Sequence, residues 1–136
     1  MKVLVDTAIW SLALRRKSRP QEPSTTSELA SLVKDGRVAI IGPIRQELLS
    51  GIRESSDFER LREHLRAFAD TGMTPVDFEE AASFYNRCRA RGIQGSNTDF
   101  LICAVAVRNG FSIFTTDGDF RTFAKVLPIV LHEIAG

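Results

Sequence analysis

Short apolar runs alternate along the chain with stretches whose apolar residues recur at helical spacing, and this alternation most restricts the possible fold. The runs at residues 3–5, 38–41 and 111–115 are rich in β-branched and aromatic side chains. Near-continuous apolar runs of this length are typical of parallel strands buried on both faces. Strands that alternate with helices predict a three-layer α/β/α sandwich around a mainly parallel sheet. We expect residues 1–136 to form a single domain of this kind.

The individual elements follow from periodicity and from helix start and stop signals. Gly42-Pro43 suits a helix start, because proline is favoured in the first turn. Residues 98–108 are apolar almost all round, which predicts a central, enclosed helix. The predicted helices are 7–14, 27–34, one starting at 42–43, 57–69, 78–91, 98–108 and 120–126; the predicted strands are 3–5, 38–41, 73–76, 111–115 and 127–131, and 18–26 is predicted as a loop.

The composition points to an ordinary soluble protein. Hydrophobic residues make up 43% of the chain and charged residues 26%, and the net charge is +1. No apolar run approaches the ~20 residues needed to span a bilayer, and the N-terminus carries no signal-peptide pattern, so we expect a cytoplasmic location. Cys88 and Cys103 form no Cys-x-x-Cys pair and have no histidine nearby, so we expect small buried side chains and no zinc site.

Two acidic residues follow predicted strands. Asp6 ends the first strand, and Asp117 lies two residues beyond Thr115, where a later strand ends. Because ligands of open α/β sheets gather at the carboxyl ends of the strands, both carboxylates are expected at one edge of the sheet. Helix N-capping explains either residue equally well by itself. Asp119 follows in a tight Asp-Gly-Asp turn, and it is a candidate cap for the next helix.

Two further acids lie on predicted helices. Glu47 stands at the margin of the apolar stripe of its helix, where a carboxylate is partly desolvated. A salt bridge to Arg45 or Arg53 is one explanation, and a metal ion is the other. Asp99 lies on the buried side of the most apolar helix, where the helix dipole also favours a first-turn acid.

Several carboxylates in one place raise one another's pKa values, and a site that keeps them ionised at neutral pH needs a divalent cation. Oxygen ligands without a useful histidine or cysteine favour Mg²⁺ or Mn²⁺. Such an ion can activate water and stabilise charge on a phosphodiester.

A basic cluster follows the first predicted helix, and it consists of Arg15, Arg16, Lys17 and Arg19. Arginine suits bidentate binding of phosphate or carboxylate, so the cluster is a candidate for guiding a nucleic-acid backbone. A solvated loop and a contact with an acidic partner protein remain equally open.

The acids also lie within a recognisable pattern. The chain resembles the PIN-domain family, and more narrowly the VapC-type toxin ribonucleases of bacterial and archaeal toxin–antitoxin pairs. Four segments carry the resemblance, in order and over nearly the whole chain: Val-Leu-Val-Asp-Thr at 3–7, Arg-Gln-Glu-Leu at 45–48, Asp-Phe-Leu-Ile-Cys-Ala at 99–104 and Thr-Thr-Asp-Gly-Asp-Phe at 115–120. Each segment is weak alone, and Cys103 stands where the family often has alanine. Their combination in so short a chain is specific.

The resemblance implies roles for individual residues. Asp6, Glu47, Asp99 and Asp117 match the family's acidic metal-binding quartet. Asp119 matches an additional catalytic acid. Thr115 matches the hydroxyl residue that orients the site, and Thr7 a position that orders the acidic loop and is a candidate substrate contact.

The implied function is metal-dependent endoribonuclease activity with Mg²⁺ or Mn²⁺ as cofactor. RNA is the implied substrate, a cognate antitoxin the implied partner, and a homodimer the implied assembly. A phosphatase of the haloacid dehalogenase type needs a second aspartate where this chain has Ala8, and a response-regulator receiver needs a lysine in a late loop, where Asp117 stands. A non-catalytic PIN-like module that binds RNA or protein is the alternative, and the complete set of acids argues against it.

Overall fold

The computed structural model of the chain describes residues 1–14 and 23–134. In chain order the elements are β1 (Val3–Val5), α1 (Thr7–Leu14), α2 (Pro23–Lys34), β2 (Val38–Ala39), α3 (Gly42–Leu49), α4 (Ser55–Leu65), α5 (Pro75–Arg89), α6 (Asn97–Asn109), β3 (Ser112–Phe114) and α7 (Asp119–Phe123). Within these residues, no helix is both long and apolar enough to cross a membrane.

The sheet is parallel, with β1 in the centre of the order β2-β1-β3. Leu4 pairs with Ala39 on one side and with Ile113 on the other. The three residues of β1 are fully buried, which explains why this strand shows no alternation of apolar and polar residues. The predicted α/β class and parallel sheet are therefore confirmed, and β1 directs its carboxyl end towards the edge where α1 begins.

The prediction of a strand at 73–76 is wrong, because this segment starts a helix. Thr74 is the N-cap of α5, and its backbone N–H donates to Asp77 Oδ2 at 2.8 Å in a capping box. Pro75 occupies the first turn, where its missing N–H costs nothing. The local capping pattern thus outweighs the apolar Met73 and Val76. On this side of the sheet, Asp70 forms an isolated parallel bridge with Ile40, the residue after β2.

Several helix ends differ from the prediction by two to four residues, and two further segments differ in kind. The predicted last strand at 127–131 is reduced to a single bridge between Ile113 and Leu131, because Pro128 has no N–H to donate to a ladder. The predicted loop at 18–26 is wrong from Pro23 onwards, because proline at the start of α2 is already set for helical φ. Its earlier part lies outside the described residues.

The core contains the middle of α6 and a group of aromatic rings beside the helix start. Phe100 is 1% exposed, and its ring lies 5.6 Å from the Tyr85 ring and 4.9 Å from the Phe123 ring. A Cβ at Gly95 would stand 2.6 Å from the Phe123 ring, so only glycine lets the loop before α6 approach these rings. Cys103 on α6 and Cys88 on α5 are buried, as predicted, and both are free thiols.

An ion pair joins the end of α6 to the start of α5. The Arg108 guanidinium donates to Asp77 Oδ1 at 2.5 Å and to Oδ2 at 2.8 Å, and it also donates to the Gly72 carbonyl. The Asp77 side chain is only 1% exposed. The hydrogen bonds from Arg108 lower the pKa of Asp77 below its ordinary value, against the opposing effect of burial.

Asp77→Asn is expected to lower the free energy of unfolding by about 2 kcal/mol at neutral pH, because a buried charge-assisted hydrogen bond and a capping box are weakened. The Asp77 contribution is complete above the unfolded-state pKa of about 4 and is lost as pH falls through the lower folded-state value. The difference between the variant and the wild type should therefore shrink in acid. Urea unfolding at a series of pH values measures both effects.

Asp57→Asn is the matched control, because Asp57 also pairs with an arginine, Arg60, but at the surface. Its substitution should change stability by less than about 0.5 kcal/mol at every pH. A loss for Asp77→Asn that is equally small, or independent of pH, would contradict the role of the buried pair.

Candidate active site

Asp6 stands at the carboxyl end of β1 and is the most buried of the predicted site acids, with 7% of its surface exposed. Its backbone N–H donates to the Phe114 carbonyl at 2.9 Å, which continues the pairing of β1 with β3. The Thr7 N–H donates to Oδ1 at 2.7 Å, and the Thr115 hydroxyl donates to Oδ2 at 2.7 Å. Both carboxylate oxygens are therefore held in place by groups from two adjacent strand ends.

The Thr115 hydroxyl connects Asp6 to the turn that carries two further acids. Its oxygen accepts from the Asp117 N–H at 2.9 Å, and Asp117 Oδ1 in turn accepts from the Asp119 N–H at 2.9 Å. The suggestion that Asp119 caps the following helix is wrong, because α7 begins at Asp119 itself and its N-cap, Gly118, has no side-chain hydrogen bond. The side chain that satisfies an N–H at this helix start is Asp117.

Glu47 reaches the same edge of the sheet from α3. The Thr7 hydroxyl donates to Glu47 Oε1 at 2.7 Å, so Thr7 binds both carboxylates, Asp6 through its N–H and Glu47 through its hydroxyl. The predicted alternative of a salt bridge to Arg45 is wrong. Arg45 pairs with Asp70 at 2.8 Å and donates to the Leu65 carbonyl at the end of α4 and to the Phe68 carbonyl just beyond it.

Asp99 lies in the first turn of α6. Ser96 and Asp99 form a capping box, in which the Ser96 N–H donates to Asp99 Oδ2 and the Asp99 N–H donates to Ser96 Oγ, both at 3.1 Å. The box fixes one carboxylate oxygen, while Oδ1 accepts no hydrogen bond from the described residues. Sequence reasoning missed the role of Ser96, although Ser-x-x-Asp before an apolar run is a recognisable capping signal.

The electrostatics show that these acids influence one another. Burial raises the pKa of Asp6, and the charges of Asp99 and Asp117 raise it further, against the hydrogen bonds from Thr115 and Thr7. Burial also raises the pKa of Asp99, with Asp117 and Asp119 adding to it. Acids from β1, α6 and the turn after β3 thus repel one another in one place, as strand-end geometry predicted.

The chemistry of this group fits a hard divalent cation. None of the five acids pairs with a lysine, arginine or histidine in the described part of the chain. The oxygen donors are carboxylates and hydroxyls, which Mg²⁺ and Mn²⁺ prefer. As the side chains lie, however, no three acidic, histidine or cysteine groups among residues 1–14 and 23–134 converge closely enough to hold a metal ion. An ion shared by these acids would need some of the carboxylates to rotate, and the Oδ1 atom of Asp99 accepts no hydrogen bond from the described residues that would oppose such a rotation.

The predicted basic cluster of Arg15, Arg16, Lys17 and Arg19 lies outside the described residues. The Thr7 hydroxyl, a candidate substrate contact, is bound to Glu47.

The sequence of the chain matches a known protein family. A sequence model of the PIN domain matches residues 3–126, which include every acid described above. The chain belongs to the PIN domain family. This PIN domain is 28% identical over 128 residues to Ribonuclease VapC11 of Mycobacterium tuberculosis, a match that covers 91% of the chain and 92% of the relative. It is equally similar to the VapC ribonuclease Mb1587 of Mycobacterium bovis, with the same coverage.

Solved structures share the fold of this PIN domain at lower sequence identity. VapBC2 from Rickettsia felis, bound to a DNA fragment from its promoter, superimposes with a TM-score of 0.77 at 18% identity, covering 97% of this chain and 98% of that one. FitAcB from Neisseria gonorrhoeae superimposes with a TM-score of 0.74 at 21% identity, and 96% of each chain is covered. These likenesses support the observed arrangement of helices around a short parallel sheet.

Proposed function

We propose that this PIN domain is an endoribonuclease that hydrolyses RNA phosphodiester bonds with the help of Mg²⁺ or Mn²⁺, and that it is the toxin of a toxin–antitoxin pair. One observation carries the proposal: Asp6 is buried and held by Thr7 and Thr115, and it faces the charges of Asp99 and Asp117, yet it forms no ion pair with a cationic side chain of the described residues. Such an arrangement costs stability and is typical of a catalytic site. The relatives named as VapC ribonucleases support the same reaction.

In this mechanism Asp6, Glu47, Asp99 and Asp117 would hold the ion, which when bound supplies an activated water and offsets charge on the phosphate. The residues of the chain prepare that arrangement. The Thr115 hydroxyl donates to the Asp6 carboxylate and accepts from the Asp117 N–H, and the Thr7 hydroxyl donates to the Glu47 carboxylate at the same edge of the sheet. Water attacks phosphorus, and the bond from phosphorus to the 3′ oxygen breaks, leaving a 5′-phosphate and a 3′-hydroxyl. Asp119, exposed at the rim, contributes as an auxiliary acid.

The partners follow from the same proposal. An antitoxin would block the reaction by covering the acidic edge of the sheet, and a homodimer is the assembly we expect. An RNA substrate and an antitoxin partner agree with action in the cytoplasm.

The metal-dependent cleavage of RNA tests the proposed function. Purified protein is incubated with total cellular RNA after EDTA treatment, and then with Mg²⁺ or Mn²⁺ added back. We expect no cleavage with EDTA and recovery with either ion. Asp99→Asn should reduce the rate by at least about 100-fold, because even groups that only support metal ligands cost 10–100-fold when removed. Asp57→Asn, an exposed acid of α4, should leave the rate unchanged.

Two results would contradict the proposal. RNA binding without cleavage in either ion would instead indicate a non-catalytic PIN-like binding module. Cleavage that persists in EDTA and in Asp99→Asn would indicate a contaminating nuclease or a different site.

A further inference from the structure

The segment between the acids of α5 and the acid of α6 has an unusual charge pattern. Residues 81–98 contain Arg87, Arg89 and Arg91 but neither aspartate nor glutamate. The same segment contains several amide and hydroxyl side chains. In a chain whose net charge is only +1, this makes the segment a local concentration of positive charge.

The fold places this segment beside the acidic site. It covers the last turns of α5, the connecting loop and the start of α6, just before Asp99. The Arg89 guanidinium lies 5.7 Å from the centre of the Tyr85 ring, and that ring lies 5.6 Å from Phe100, the residue next to Asp99. A short series of contacts thus joins the arginines to the helix start that carries a site acid.

The arginines of α4 and its C-cap are neutralised by acids of the same helix. Each pairs with an acid three residues earlier: Arg60 with Asp57, Arg62 with Glu59 and the C-cap Arg66 with Glu63. In contrast, Arg87, Arg89 and Arg91 are exposed and form no salt bridge within residues 1–14 and 23–134.

The structural role of these arginines accounts for only part of their charge. Cations near the end of α5 interact favourably with the helix dipole, which is equivalent to about half a negative charge. Arg87 also covers the Phe84 ring at 5.3 Å. Three cations exceed what one helix end requires, and Arg91 lies beyond the end of α5. Their guanidinium groups are therefore available to an external anion.

We infer that Arg87, Arg89 and Arg91 form a surface that binds the backbone of single-stranded RNA and directs it to the acidic site. The exposed amide of Gln94 lies in the connecting loop, and the exposed amide of Asn97 stands at the start of α6, two residues before Asp99. An acidic site repels phosphates, so a nearby cationic surface is needed to hold the substrate. Arginine meets this need because its planar guanidinium binds phosphate oxygens in pairs. The inference rests on the proposed function, and it names the surface that receives the substrate.

The salt dependence of RNA binding tests this surface. In the Asp99→Asn background, which slows cleavage by at least about 100-fold, binding of fluorescein-labelled single-stranded oligouridine is measured by anisotropy at several salt concentrations. Log affinity falls as log salt concentration rises, and each lost phosphate contact should reduce the magnitude of this slope by ~0.7. The combined variant R87Q/R89Q/R91Q should therefore reduce it by ~2. Replacement of the same residues by lysine should preserve most of the slope, because the charge remains.

The triple variant R60Q/R62Q/R66Q, on α4 and its C-cap, is the matched control. It removes the same number of positive charges, but from residues already paired with acids, and its slope should stay at that of the background protein. In otherwise wild-type protein, R87Q/R89Q/R91Q should raise KM for RNA cleavage and leave kcat unchanged, because the arginines act in binding. Arg91 lies outside the helices, so Arg91→Gln alone should not unfold the protein. It should reduce the magnitude of the slope by ~0.7.

An unchanged slope in R87Q/R89Q/R91Q, or an equal reduction in the α4 control, would overturn the inference. Either result leaves the proposed function standing if the wild-type protein cleaves RNA. Absence of both RNA binding and RNA cleavage in the wild-type protein would instead refute the proposed function itself.

Discussion

Asp6→Asn is expected to reduce the rate of RNA cleavage by about 100- to 1,000-fold, as removal of one electrostatically acting group from a buried catalytic site typically does. Asparagine keeps the shape of the side chain but removes the negative charge from the centre of the site. The Thr7 N–H and the Thr115 hydroxyl both donate to this carboxylate, so no other acid can take its place without breaking those bonds. Initial rates of cleavage with saturating Mn²⁺ measure the effect.

The same variant separates loss of metal binding from loss of folding. Asparagine avoids the burial and repulsion that raise the pKa of Asp6, but its single oxygen can accept only one of the two hydrogen bonds. These effects oppose each other, so the free energy of unfolding of the metal-free variant should lie within about 1 kcal/mol of the wild-type value. Mn²⁺ should raise the Tm of the wild type, because a ligand that binds only the folded state stabilises it. That increase should be much smaller in Asp6→Asn.

Asp57→Asn serves again as the control and should match the wild type in rate and in its response to Mn²⁺. A variant Asp6→Asn that cleaves RNA at more than a tenth of the wild-type rate would contradict the assignment of Asp6 as the central acid. So would a Tm increase equal to that of the wild type.

Phe100→Ala is expected to cause the largest loss of stability, about 3–5 kcal/mol, through the cavity that it leaves. Phe100 is almost fully buried, and it packs between the Tyr85 and Phe123 rings. Gly95 packs against the Phe100 ring, since a Cβ at this position would stand 3.0 Å from it. Because small domains are stable by only about 5–15 kcal/mol, a substantial part of the total would be lost. Urea unfolding followed by circular dichroism provides the measurement.

Phe78→Ala is the matched control, because Phe78 lies on α5 with half of its surface exposed. It should cost less than about 1 kcal/mol, since little buried area is removed. Equal losses for the two variants would contradict the packing of the aromatic rings around α6.

Much of the fold was predictable because its strands and helices follow from local patterns of apolar residues. The buried strand at Val3–Val5 and the enclosed helix α6 follow from unbroken apolar runs, which fit few other environments. The same reasoning failed at 73–76, where Met73 and Val76 suggested a strand. A capping box between Thr74 and Asp77 decides that segment, and it was overlooked although it is equally local.

The sequence by itself determined that this chain folds as an α/β protein with acids at the ends of its strands, because strand periodicity and strand ends are local properties. Only the tertiary structure decided how those acids are held. The Thr7 hydroxyl binds Glu47 from 40 residues away, and Thr115 binds Asp6 across 109 residues. Burial, which raises the pKa of Asp6 and Asp99, likewise depends on packing from every layer. Hydrogen bonds and desolvation at such a site arise between distant segments, and no local pattern records them.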